Sequence, residues 1–337
     1  MKRLTLATLV ATLVTLVVIA LGYYLWRAYR APFEALEREL QALKEAGEPL
    51  RYEDIVTPIP ANLNSAPIYQ KAFGLLPKLS FNEWQLLDEF REGRPAEIAR
   101  VRQILKRCQP TLALAKKASK LPHARWIKWQ PNPFSIEFWH LLKLREVARL
   151  LVADALLRLH DGDVEGSIEN LAALLRMAHQ MSDEPFAVNL ALIRSIFALT
   201  NQVLKAFLSR QVKISPSQIK QLQCLSSQWD GDQSLIRHKQ LMLVAFIDFF
   251  DWLRANPKRA REYLQVWSEG CVIYQGNLAA WVLPLYSQLA ANEVILLRYD
   301  RRLLSIARKG EPYDWKQFEL IDQWAQRMTS YGFKSIR

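Results

Sequence analysis

The chain has little cysteine, little glycine and none of the short signatures that carry familiar chemistry. Three cysteines in 337 residues, Cys108, Cys224 and Cys271, are too few and too scattered for a disulfide framework. They read as small buried hydrophobes. Cys-x-x-Cys does not occur, and the five histidines do not pair with the cysteines at metal-ligand spacing, so neither a metal nor a cofactor is expected. Eleven glycines leave few hairpin turns, and alternating Val/Ile/Thr runs are nearly absent, which argues against a sheet-based fold. Glycine-rich phosphate loops, His-Glu-x-x-His and Gly-x-Ser-x-Gly are also missing. Acids are scarce relative to bases, 33 against 45, leaving a net charge of +12.

What the chain does have is apolar residues at helical spacing. Half of its residues are hydrophobic, and long periodic stretches dominate, which predicts an all-α fold. Residues 4–26, LTLATLVATLVTLVVIALGYYLW, contain no charge. At about 1.5 Å per residue such a helix covers roughly 34 Å, enough to cross a hydrocarbon core of about 30 Å. Thr5, Thr8, Thr12 and Thr15 do not forbid insertion, because a helix bonds such hydroxyls to its own carbonyls. Tyr23, Tyr24, Trp26 and Tyr29 gather at the end, where amphipathic rings favour the headgroup layer.

Lys2, Arg3 and the α-amino group favour an inside N-terminus, and Arg27 and Arg30 compete from the other flank. The expectation is a single-pass signal-anchor in the cytoplasmic (inner) membrane with the body exported. A cleaved signal peptide is the alternative, with Ala20-Leu21-Gly22 as its small-x-small site. The expected organisation is an anchor at 1–30, a short helix and proline-rich linker at 31–63, and an α-helical extracytoplasmic domain at 64–337. Pro32 stands near the start of the short helix, Phe33, Leu36, Leu40 and Leu43 form its apolar stripe, and Gly47 stops it. Further helices are expected at about 64–76, 82–91, 95–120, 135–160, 164–181, 185–210, 216–227, 232–254, 257–268, 275–308 and 314–328. Asn82 is the expected cap of the second of these.

The positive charge is uneven. Residues 91–128 carry eleven bases against only Glu92 and Glu97. From these, Arg100, Arg102, Lys106, Arg107, Lys116, Lys117, Arg125 and Lys128 are the candidate contacts to an anionic surface, either lipid or an envelope polymer. An exported body excludes nucleic acid as the partner. Arg125-Trp126-Ile127-Lys128-Trp129 interleaves bases with aromatics, which reads as tryptophans packing a loop onto the body.

Other constellations are incomplete. Asp161-x-Asp163-x-Glu165-Gly166-x-Ile168-Glu169 has the first nine positions of a calcium loop, but Ala172 stands where the bidentate acid belongs. Asp163 is therefore read as a helix cap. Ser217-x-x-Lys220 lacks the companion elements of an acyl-enzyme site. Glu137 and His140 supply half of a di-iron bundle motif, with no second half. Asp248 and Asp251 lie one turn apart among aromatics, without a catalytic partner.

Residues 155–185 resemble a tetratricopeptide-type helical hairpin on Ala155, Leu159, Gly162, Ile168, Leu171, Leu174 and Pro185. The wider layout is similar to a group of uncharacterised, membrane-anchored, all-helical bacterial proteins that share an Asn-x-Ala-x-x-Tyr-x-x-Ala lead. Asn64, Ala66, Tyr69 and Ala72 match that lead. The resemblance implies architecture and export, and it transfers no activity. The expected role is a membrane-anchored scaffold or protein-binding module working through a helical surface. The alternatives are an envelope hydrolase whose active site has no linear motif, or a basic module that binds anionic lipid or polymer.

Overall fold

The computed structural model describes residues 2–262 and 285–308. Among them every regular element is a helix, and the one sheet-like feature is an isolated parallel bridge between Asn64 and His123. Cys271, the helix expected at 314–328, and the outer parts of those expected at 257–268 and 275–308 lie outside the described residues. The chain divides into two compact units: Met1–Asp54 with Gln130–Ser135 and Lys239–Arg337, and Ile55–Trp129 with Ile136–His238.

The first unit begins with α1 (Lys2–Glu45), one unbroken helix of 44 residues. Its apolar stretch is exposed from Thr8 to Trp26, and the helix is long and apolar enough to cross a membrane. Thr12 and Thr15 donate their hydroxyls to the carbonyls of Thr8 and Ala11, each at 2.9 Å, so these two hydroxyls are satisfied within the helix.

Two separate helices were expected here, and the structure has one. Residue 30 lies inside α1, and Pro32 is an interior residue. Proline removes one backbone donor and crowds the carbonyl four residues earlier, an effect that usually costs about 3 kcal/mol. Tertiary packing opposes that cost. Leu36, Glu39 and Leu43 are buried, and α1 packs along α11 (Leu285–Ala307). Gly47, at φ 71°, ends the helix, and the Glu48 amide returns to the Leu43 carbonyl at 3.0 Å.

Ion pairs accompany this packing. The buried Glu39 carboxylate lies 3.1 Å from Arg298 and 2.8 Å from Arg301, both on α11. Glu48 accepts from Arg308 at 2.9 Å and from Gln240 at 3.2 Å. Phe249, Phe250 and Leu253 on α10 (Gly231–Ala255) meet Leu289 of α11, and Phe134 packs edge-on against Phe249.

The second unit holds α3 (Ala66–Gly74), α4 (Phe81–Arg91), α5 (Ile98–Ser119), α6 (Trp139–His160), α7 (Val164–Met181), α8 (Ala187–Ser209) and α9 (Pro216–Ser227), after a short α2 (Tyr52–Ile55) at its border. Helix α6 is the centre. Leu144, Val147, Leu150, Leu151 and Ala155 are fully buried against α5, α7 and α8. Helix α8 is also apolar and long enough to cross a membrane, but Ile193, Ile196, Val203 and Phe207 are buried in contact with this core.

Helices α6 and α7 are consecutive and joined by a tight turn at Asp161-Gly162-Asp163. Gly162 adopts φ 83°, and Leu159, Ile168, Leu171 and Leu174 are buried. Several starts differ from expectation, those of α4 and α6 with a visible cause. Helix α4 is capped by Ser80, in a reciprocal capping box with Glu83, and not by Asn82. Helix α6 begins at Trp139 because Pro133–Ser135 closes a 3-10 turn in which the Ser135 amide bonds to Asn132.

Candidate functional site

Helix α5 presents the basic residues because its other half is core. Val101, Leu105, Cys108, Leu112 and Ala115 are fully or almost fully buried, so the bases occupy the solvent-facing half. Half of the eight candidate contacts have intramolecular partners. Arg102 donates to Asp161 at 2.8 Å in a two-pronged pair, Arg107 pairs with Glu83, and Lys116 donates to Glu169 at 2.9 Å. Arg125 donates to the Thr57 carbonyl at 3.2 Å and lies 3.8 Å from buried Glu184. Arg100, Lys106, Lys117 and Lys128 are exposed and have no acidic partner among the described residues.

Two surface hollows flank α5. One, of about 500 Å³, is lined by Glu83, Arg100, Gln103, Ile104, Lys106 and Arg107. The other, of about 330 Å³, lies beneath the α6–α7 turn, where Arg102, Lys106 and Arg158 face Asp154, Asp161 and Asp163. Its charges are internally matched. Asp154 is buried and accepts from Gln109, Arg158 and Asn170 at 2.7–2.8 Å. Asp161 and Asp163 of the calcium-like run thus pair with Arg102 and Arg158, Glu169 pairs with Lys116, and Asp163 caps α7 by accepting the Gly166 amide at 2.9 Å. No group of three ligating side chains suits a metal ion among the described residues.

A second polar cluster brings together three segments distant in sequence. Asn64 accepts the amides of Ala66 and Arg125 at 3.1 and 2.9 Å, and the Ser65 amide donates to the His123 carbonyl. The Tyr69 hydroxyl donates to Gln180 at 2.9 Å, and the Gln180 amide bonds to the carbonyls of Ala118 and Leu121. Asp183 accepts the Ala124 amide at 2.9 Å, and His123 Nδ1 lies 3.3 Å from both of its oxygens. Glu184 accepts the consecutive amides of Trp126 and Ile127 at 2.9 and 2.7 Å. Burial pushes its carboxyl up to about 7, with the two amides and Arg125 opposing.

The Trp126 ring stacks on His140 at 4.8 Å and meets Tyr69 and Phe73. Desolvation lowers His140 to about 4, so its ring is neutral and serves as part of an aromatic stack. This cluster fastens the loop at 121–129 to the helices. Its donors and acceptors mostly face one another, and it presents no nucleophile beside a base.

The remaining sequence candidates do not assemble. Asp251 pairs with Arg254 at 2.9 Å, and Arg254 also holds buried Glu293. Glu137 precedes α6 and so does not share a helical face with His140. Ser217 lies 2.9 Å from the capping hydroxyl of Ser215. Sequence reasoning passed over Gln180, Asp183, Asp154 and Glu184 as binding partners. Asp183-Glu184 directly before Pro185 was the available signal for two of them, because carboxylates beside a helix start find amide donors. Comparison with protein-family models, with curated proteins and with solved structures returned no match.

Proposed function

We propose that this chain is a single-pass, membrane-anchored helical scaffold whose body lies on the exported side of a cytoplasmic membrane. One observation carries the reading. The apolar part of α1 continues without a break to Glu45, so the anchoring helix is also a packed helix of the first unit. A leader destined for removal needs no such continuity, and cleavage after Gly22 would leave α1 to start inside the aromatic belt. Lys2, Arg3 and the α-amino group support an inside N-terminus. The likeness to anchored helical bacterial proteins, carried by Asn64, Ala66, Tyr69 and Ala72, points the same way.

The scaffold part of the reading rests on surface composition. Trp139 and Leu142, one turn apart on α6, are 52% and 68% exposed. Exposed tryptophan is a frequent anchor of protein contacts.

Cys224, expected to be buried like Cys108, is instead exposed on α9 and provides a native reporter of sidedness. In a Cys271→Ser background, a membrane-impermeant maleimide applied to cells with a permeabilised outer membrane is expected to label Cys224 before lysis. Labelling only after the inner membrane is broken would reverse the orientation. Recovery of the intact chain in the soluble fraction would end the anchor reading.

A further inference from the structure

We propose that the larger hollow between α4 and α5 is a binding site for a phosphate group, carried on a lipid headgroup or free as an inorganic anion. Arg100, Gln103, Lys106 and Arg107 recur at spacings of three, three and one along one face of α5, and all four line the hollow. Ile104 closes its floor and is buried. Glu83, the only acidic lining residue among the described ones, is held in place from two sides. It is locked in the capping box with Ser80 and pairs with Arg107. The hydrogen bond from the Ser80 amide, reinforced by Arg107, keeps its carboxyl below the ordinary range.

Glu83 therefore neutralises Arg107 and orients that wall. Among the described residues Arg100 and Lys106 have no ion-pair partner beside the neutral amide donor of Gln103, which leaves the described lining with a net charge of about +2, three bases against one acid.

The contrast with the rest of α5 is informative. Arg102 is given Asp161, and Lys116 is given Glu169. At the larger hollow no acid among the described residues is within ion-pair distance of Arg100 or Lys106, although Lys106 also borders the second hollow with its three aspartates. A phosphate supplies both missing properties, negative charge and several acceptor oxygens. A guanidinium takes it in a two-pronged pair, and an ammonium takes it as a point charge. The volume of about 500 Å³ lies within the range of small-ligand sites. This site does not depend on the sidedness of the membrane anchor.

The test uses the full chain reconstituted in phosphatidylcholine nanodiscs. The probes are phosphatidylcholine vesicles with and without phosphatidylglycerol, and inorganic pyrophosphate. Arg100→Gln with Lys106→Gln is compared with Lys117→Gln with Lys128→Gln, which removes the same charge elsewhere. The site pair is expected to weaken binding about 30-fold, roughly a factor of five for each cation at an anionic group, and the control pair far less. Preference for phosphatidylglycerol vesicles that pyrophosphate does not displace places the phosphate on a lipid. Pyrophosphate binding without vesicle preference makes it a free anion. Equal losses from the two pairs, or no binding of either probe by the native chain, would overturn the site.

Discussion

Glu184 shows how one side chain can hold a fold together and still make it sensitive to pH. Its carboxyl accepts two consecutive amides, yet burial pushes it up to about 7, well above an ordinary glutamate. Below the unfolded value both states hold the proton, and the group has no effect on stability. Between that value and about 7 the folded state holds a proton that the unfolded state has released, so stability falls as pH rises. Above about 7 the loss is complete, and its order of magnitude is 3 kcal/mol. Glu293, pushed up to about 8, and Asp300, to about 6, act with the same sign in the first unit. Glu184→Gln keeps the acceptor oxygen and removes the charge. Urea unfolding is expected to show a smaller stability loss between about pH 5 and about pH 8 in this variant than in the native chain. Identical slopes would mean that Glu184 is not the titrating group.

Tyr69→Phe tests the same cluster at its buried end. It leaves the Gln180 carbonyl without its donor, and a loss of about 1–3 kcal/mol is expected in the same assay. Cysteine chemistry separates by burial. Desolvation raises the Cys108 thiol to about 11, so Cys108 is expected to resist a thiol reagent in the native protein while Cys224 reacts. Quantitative labelling of Cys108 without denaturant would contradict its position in the core.

At the scale of elements, α1 and the α6–α7 hairpin were legible to different degrees. Gly162 and the stripe of Leu159, Ile168, Leu171 and Leu174 follow from local pattern, since the turn needs a positive φ and the stripe needs one face. Gly166 carries a less obvious constraint. A Cβ there would lie 2.3 Å from the Asp163 carboxylate that caps α7. Gly166→Ala is expected to cost about 1 kcal/mol through the damaged cap, despite the better helix propensity of alanine. Thermal unfolding measures the sign, and stabilisation would show that the cap adjusts freely. Helix α1 was misread at Pro32 because the sequence signal for a break is local. The packing that keeps it continuous comes from α11, more than 240 residues later. Leu43→Ala removes a fully buried side chain from that contact and is expected to cost about 2–5 kcal/mol.

Across the whole molecule, the sequence alone determined the helical class, the apolar N-terminal run, the incomplete metal and nucleophile motifs, and the presence of a basic face on α5. Each depends on composition or on spacing within one element, where periodicity and side-chain chemistry suffice. Tertiary structure decided which bases remain available. Arg102, Arg107, Lys116 and Arg125 looked the same as Arg100 and Lys106 in the linear chain, and acids from α4, α7, the α6–α7 turn and the segment before α8 separated them. The same holds for Asn64 and Tyr69. Their spacing was visible, but their partners Arg125 and Gln180 lie 61 and 111 residues away. A counter-ion or a buried acceptor is a property of space, and no period along the chain encodes which distant residue will provide it.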